Sequence, residues 1–196
     1  MNTLKLITIK KAIEYVEELI NNDIPLNQRI IKDIHAIVLQ GIDRSFAGKY
    51  RNTPALITGA NHTPPSHEKI QDEMDDMMDW YQDSSDLHPV EKASLLHAKF
   101  VNIHPFSDGN RRTSRLLMNL ELMKAKFPPI TIEKDDRFRY YEVLDISGAK
   151  GDYERFTLFI AEREVNTLES YLDFLNDYKM EKNEIHETNK KNELER

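Results

Sequence analysis

One stretch constrains this chain more than any other: Ile103-His104-Pro105-Phe106-Ser107-Asp108-Gly109-Asn110-Arg111-Arg112-Thr113-Ser114-Arg115. It joins two apolar runs, Val90, Ala93, His97 and Val101 before it and Leu116, Leu117, Leu120 and Met123 after it. Both have the one-face spacing of an α-helix. Pro105 disfavours helical geometry at His104, so the first helix is predicted to end there and to project its imidazole into the following loop. Asp108-Gly109-Asn110 tolerates tight or left-handed backbone, and the second helix is predicted to start near Asn110. Its first turn offers free N–H groups and the positive end of the helix dipole, a ready site for phosphate. Arg112 and Arg115 are three apart and share a face there, although cations at a helix N-terminus are unfavourable unless an anion joins them. The stretch reads as a base (His104), a metal carboxylate (Asp108), an anion nest and an arginine clamp. Such a turn asks for a polyanion. Taken as a buried histidine beside a surface basic turn, it would crowd three arginines at one helix start for no purpose.

Composition narrows the classes around this stretch. At 196 residues the chain fits one domain with a real core. Hydrophobic content of 39%, charged content of 31% and only 6 glycines suit a mainly helical soluble protein. A net charge of −7 argues against a general nucleic-acid binder. With no cysteine, disulfides, thiolate chemistry and cysteine zinc sites are excluded. No apolar run approaches the roughly 20 residues that cross a bilayer, and the N-terminus does not resemble a cleavable signal. A cytoplasmic protein that binds neither membrane nor nucleic acid is expected.

Along the chain, residues 8–20 read as an amphipathic helix with Ile9, Ile13, Val16 and Ile20 inward, and Leu26 to about Leu39 as a second. His35 in the latter reads as a surface or packing histidine. From Gly41 to Pro65 the character changes. Ala55-Leu56-Ile57-Thr58 followed by Gly59-Ala60-Asn61 suggests a short β-hairpin, and His62-Thr63-Pro64-Pro65 ends it. Ser66 to about Gln82 is predicted helical, with a Met/Trp stripe inward and Asp72, Glu73, Asp75, Asp76 and Asp79 as a solvated face. Leu87-His88-Pro89-Val90 opens the helix that delivers His104. Further helices are expected from Glu133 to about Ile146 and over 153–175. Gly148–Asp152 lies between them as a loop, and a frayed helix or disordered tail follows from about Lys179. The fold class is thus all-α with a short β-hairpin. It divides into an N-terminal helical segment (1–40), a core (41–177) and a polar tail (178–196), with no repeat and no interdomain linker.

The string from His104 to Arg115 resembles the signature of the Fic family, His-Pro-Phe-x-Asp/Glu-Gly-Asn-Gly-Arg-x-x-Arg, with Arg111 in place of the usual glycine. The likeness extends from about residue 30 to 175. It is carried also by Gly48-Lys49-Tyr50-Arg51, His62-x-Pro64-Pro65, Leu87-His88-Pro89-Val90, Ser114-Arg115-Leu116-Leu117-Met118-Asn119 and Tyr140-Tyr141. These look like the subgroup that includes the animal endoplasmic-reticulum enzyme and its bacterial relatives. The resemblance implies transfer of AMP from ATP to a Ser, Thr or Tyr hydroxyl of a target protein, using Mg²⁺. It implies His104 as general base, Asp108 as the Mg²⁺ ligand, and Gly109 and Asn110, including the Asn110 side chain, as a phosphate cradle. Arg111 lies within the same nucleotide site. Arg112 and Arg115 would hold phosphates, and Tyr140 and Tyr141 would line the adenine pocket. The segment holding Gly59, Ala60, Asn61 and His62 would be a flap that covers the nucleotide and pairs with the target. An unperturbed imidazole near ~6.5 would suit base catalysis at neutral pH.

Two departures mark the match. Where relatives carry a base-contacting asparagine about seven residues beyond the tyrosine pair, this chain has Ser147-Gly148. The inhibitory string Ser/Thr-x-x-x-Glu-Gly/Asn found in many members is absent, while Asn2-Thr3-Leu4 resembles the segment that follows its glutamate. The chain is therefore expected to begin just past its own brake and to modify itself unaided, with a homodimer as a further option. Two other functions stay open. One is a Doc-like kinase that transfers the γ-phosphate, because Doc proteins carry lysine at the position of Arg111. The other is a non-catalytic nucleotide-binding interaction module.

Overall fold

The structure, a computed structural model, describes the backbone of residues 3–40 and 45–194 and the side chains of 7–40, 45–179 and 182. Asn2, Gly41 and the end of the polar tail at 195–196 lie outside the described residues, as do the side chains of Met180, Ile185 and Leu194.

Helical spacing becomes helix wherever a cap or a proline can start it. α1 spans Thr3–Asn21 and α2 spans Gln28–Val38, opened by Asn27, whose side chain accepts from the Ile30 N–H at 3.0 Å. After a 3₁₀ turn at His67–Lys69 comes α3, Ile70–Asp83. α4, Pro89–Ile103, begins with proline in its first turn and with His88 Nδ1 accepting from the Val90 N–H at 3.3 Å. α5 spans Asn110–Lys124, α6 spans Arg137–Lys150 and α7 spans Glu154–Leu194.

α4 is the axis. Val90, Ala93, Leu96, His97, Ala98, Phe100, Val101 and Ile103 are buried nearly all round it, as expected of a helix surrounded by others. α3, α5, α6 and α7 pack on it, and α1 and α2 close over α5. The core joins Ile31, Ile34 and Val38 of α2, Met74 and Met77 of α3, Leu117 and Met118 of α5, and Phe156, Phe159 and Ile160 of α7. The pair α4–α5 thus holds the loop 104–109 at one end of a rigid bundle.

Several expectations are corrected. The inward face of α1 is Thr8, Ala12, Val16 and Leu19, while Ile13 is exposed. Val16, shared with the predicted face, is buried and Ile20 packs partly against the core, so the helix is turned only slightly. α6 starts at Arg137 rather than Glu133 and runs through Gly148 to Lys150, where Gly151 at φ +69 ends it. α7 continues past Lys179 to Leu194, since Lys and Glu sustain helix well. Val165 and Leu172 are exposed where α7 passes beyond the core. Among the described residues there is no β-strand, so the expected hairpin is not seen as one. Residues 51–65 instead form an extended strap, with one turn in which the Ala60 N–H reaches the Ile57 carbonyl at 3.1 Å and Gly59 adopts φ +80. Pro54 and the pair Pro64-Pro65 remove donors at both ends, leaving too few residues for a ladder. Among the described residues, no helix is long and apolar enough to cross a membrane.

Candidate active site

The loop that follows α4 is built from the inside. His104 caps the helix in left-handed geometry, φ 52 and ψ 55, with its N–H on the Phe100 carbonyl at 3.1 Å. A non-glycine residue pays strain for this conformation, and Arg51 holds it there. The Arg51 Nε donates to the His104 carbonyl at 2.8 Å, and its backbone N–H donates to the Pro105 carbonyl at 2.9 Å. The two terminal nitrogens reach the Thr53 and Pro65 carbonyls at 2.9 and 2.6 Å, so one buried guanidinium pins the loop and both ends of the strap. Asn110 closes the loop from the other side. Its Oδ1 accepts from the Phe106 N–H at 2.9 Å and its Nδ2 donates to the Phe106 carbonyl at 2.7 Å. That amide brackets Phe106 with one accepted and one donated bond, and Asn110 still lines the cavity at the helix start. Phe106 is buried and stacked on His35, ring centroids 3.6 Å apart. The Nδ1 of His35 accepts from the Gly48 N–H at 3.0 Å, so its Nε2 carries the proton and donates to the Asp108 carbonyl at 2.8 Å.

The charges are arranged around an open helix end. No side chain caps α5 at Gly109, φ +80, which leaves its leading N–H groups to an anion. Asp108 accepts from the Gly109 N–H at 2.6 Å and pairs with Arg112 at 3.1 Å, and Arg112 also donates to the Val38 carbonyl at 3.1 Å. Burial pushes the His104 imidazole down to about 4; the Val101 carbonyl opposes this, and the nearby Arg51 and Arg111 reinforce it. This differs from the expected ordinary value because the ring sits inside the bundle end among cations. Its Nδ1 is buried, leaving Nε2 as the nitrogen open to a reactant.

Two cavities meet at this end. One, of about 400 Å³, is lined by Leu56, Ile57 and Thr58 of the strap and by His104, Ser107 and Asp108 through Arg112. The other, of about 310 Å³, is lined by Ile57 to Ala60, His62, Val101, Asn102, Arg111, Tyr141, Leu144 and Asp145. Arg111 belongs to both, its guanidinium 4.8 Å over the Tyr141 ring. His104, Asp108, Gly109, Asn110, Arg111 and Arg112 are therefore brought together, as are Gly59, Ala60, His62 and Tyr141. Asn61, Arg115 and Tyr140 line neither cavity. Asn61 is spent on Asp145, and Tyr140 is fully buried with its hydroxyl 3.1 Å from His97 Nε2. Arg115 lies 5.1 Å over the Tyr140 ring.

Residues 25–122, half of the chain, match the Fic/DOC family model. The chain belongs to the Fic/DOC family. It is 40% identical over 167 residues to the protein adenylyltransferase Fic of Nematostella vectensis, covering 84% of this chain and 38% of that protein. It thus spans well under half the length of the curated relatives it matches. Fic-1 from C. elegans superposes with a TM-score of 0.81 at 28% identity, over 89% of this chain and 52% of that one. A Fic-domain signalling protein of Bacteroides thetaiotaomicron gives 0.74 at 26% identity, over 84% and 69%.

Within this Fic domain, Asp108 fits Mg²⁺. Its carboxylate is 69% exposed beside the open helix end, and no cluster of three or more His, Asp or Glu side chains forms a metal cage among the described residues. A hard ion that keeps its waters and binds through one or two carboxylates plus phosphates needs no cage. The Fic residues that sequence reasoning missed act at long range. His35 and Arg51 hold the loop. Asp145 accepts from the Asn61 and His62 backbone N–H groups at 2.8 and 2.9 Å and from Asn61 Nδ2 at 2.7 Å. Burial would raise that carboxyl, but these donors outweigh it and hold it below the usual range. His35 did leave a signal, a polar residue between Ile34 and Val38 on the inward face of α2.

Proposed function

We propose that this chain is a protein adenylyltransferase that moves AMP from ATP to a Ser, Thr or Tyr hydroxyl of a target protein. The observation that carries this is one convergence: an imidazole, an uncapped helix N-terminus and two arginines around one cavity, opening through Arg111 into a second, apolar cavity of base size. The triphosphate lies over the leading N–H groups of α5 beside Arg112, and the base lies against Arg111, Tyr141, Leu144 and the strap. The target oxygen attacks the α-phosphorus, the bond from that phosphorus to its bridging oxygen breaks, pyrophosphate leaves, and the hydroxyl proton passes to His104. With its value near 4, His104 is neutral across physiological pH and free to accept; the bound polyanion then favours the imidazolium that forms. Asp108 would hold Mg²⁺, which would supply charge neutralisation for the phosphates.

The backbone of residues 55–58, which forms no β-ladder, suits a flap that takes the target as an added strand, with affinity from the main chain and little sequence demand. Arg111 over Tyr141 leaves the helix end open, which favours AMP transfer over the Doc-like kinase. Self-modification, cytoplasmic residence and a homodimer complete the proposal, the last checked by light scattering. The test is His104→Ala, expected to bind ATP as the parent does while transfer falls about 10²–10⁴-fold. Near-parental transfer by this variant would remove His104 from the role of base.

A further inference from the structure

α7 carries apolar residues on two faces, and the core takes only one of them. Phe156, Phe159 and Ile160 are fully buried in the core, while Leu158 and Val165, on the opposite side of the same helix, are each more than half exposed. Eight of the fourteen exposed large hydrophobic side chains among the described residues lie on this one helix, from Leu158 to Tyr178. A monomer seldom leaves so much apolar surface together. Part of it is a narrow seam whose steps alternate between three and four residues: Leu158, Ala161, Val165, Leu168, Leu172 and Leu175. A stripe confined to these two heptad positions is what one helix buries against another in a coiled coil.

Charge selects the occupant and its direction. The same spacing places Glu154 one turn before Leu158, and Lys179 and Lys182 after Leu175, all three exposed. One end of the seam is therefore acidic and the other basic. Two copies in parallel would set both lysines against their own counterparts inside the seam. Two copies in antiparallel order, with the axis level with Ser170, bring opposite ends together. Leu168 then meets Leu172 of the partner subunit, and Val165 meets Leu175 of the partner subunit. The apolar stem of Lys182 covers Leu158 of the partner subunit, with its ammonium towards Glu154 of the partner subunit. Glu169 comes near its own counterpart in this order, but at the exposed rim, where salt screens the pair. We infer that α7 is a self-association surface, on which two copies of this chain pair as an antiparallel coiled coil over residues 158–182. The inference gives the homodimer proposed above its surface, and it does not depend on the chemistry of the active site.

Sedimentation of the intact chain at rising concentration is the first test, with a mass approaching twice 23.0 kDa expected. The chain with Leu168→Glu and Leu172→Glu together should stay at the monomer mass at every concentration, because both charges would be buried in the seam. Both positions are exposed in the single chain, so its circular dichroism should be unchanged; if that variant does not fold, Leu172→Gln carries the test. The chain has no cysteine, so single thiols report the order of the helices. Val165→Cys chains mixed with Leu175→Cys chains and oxidised should give the mixed cross-link and neither self-link. A monomeric parent overturns both this inference and the homodimer. A dimeric parent whose folded Glu variant remains dimeric overturns the surface and leaves the homodimer standing. Self-links without the mixed product, or no cross-link at all in a dimeric sample, overturn the antiparallel order.

Discussion

Replacing Arg51 should damage stability and chemistry together, by amounts the geometry sets. Its guanidinium makes three hydrogen bonds to carbonyls, at 2.8, 2.9 and 2.6 Å, with the residue only 4% exposed. A hydrogen bond involving a charged group contributes about 1.5–3 kcal/mol net. The sum is not reached, because the freed carbonyls regain water as the strap loosens and because a buried cation costs desolvation. About 3 kcal/mol of lost stability is expected for Arg51→Met, and less for Arg51→Lys, which keeps the charge but not the planar fork. The left-handed backbone at His104 then loses its clamp, and a misplacement of about 1 Å at a reacting group costs about 10²-fold in rate. Urea unfolding followed through Trp80 fluorescence gives the first quantity, and initial transfer rates at a temperature where the variant is folded give the second. A third readout separates loose folding from lost placement. Arg51 also pushes His104 down, so the acidic limb of kcat/KM, expected near pH 4 in the parent, should move upward in Arg51→Met. A folded Arg51→Met with parental rate and an unmoved acidic limb would refute the argument.

Stability should fall steeply on mild acidification. Burial holds His35, His97 and His104 down at about 4, 3 and 4, so each binds a proton in the unfolded state before the folded one, and their contribution is lost as pH falls from about 6.5. Glu164, pushed up to about 7 by burial, acts oppositely and cancels one of the three. The net is roughly 2 kcal/mol per pH unit near pH 5.5, and equal urea midpoints at pH 7 and pH 5 would contradict it. Arg111→Gly should preserve AMP transfer or raise it modestly, because the side chain rests on Tyr141 and not in the nest. A change in the transferred group, measured with ATP labelled at separate phosphates, would show that Arg111 sets the orientation of the nucleotide.

What could be read from the sequence was local. The helix ends at His104 and Asn110 follow from Pro105 and Gly109 beside two periodic runs, and both stand where expected. Roles that depend on distant partners were invisible. Nothing near Arg51 in the chain points to the His104 carbonyl, and nothing near Asp145 points to Asn61. Asn110 was read by its position in the motif, which gave no sign that its amide also brackets Phe106. Tyr140 and Tyr141 are adjacent, so a helix necessarily turns them apart: Tyr141 reaches the cavity and Tyr140 the core. The strap was read as a hairpin because alternation and a turn were visible; no strand is seen over 51–65, where three prolines weaken a ladder.

The most direct measurement is incubation of the protein with ATP labelled at the α-phosphate or at the γ-phosphate, followed by detection of label on protein. Label from the α-position alone, lost in His104→Ala, is the predicted result. Label from the γ-position alone would mean that the nucleotide lies reversed and that the site is a kinase. No label from either, with ATP still bound, would mean that the domain only binds.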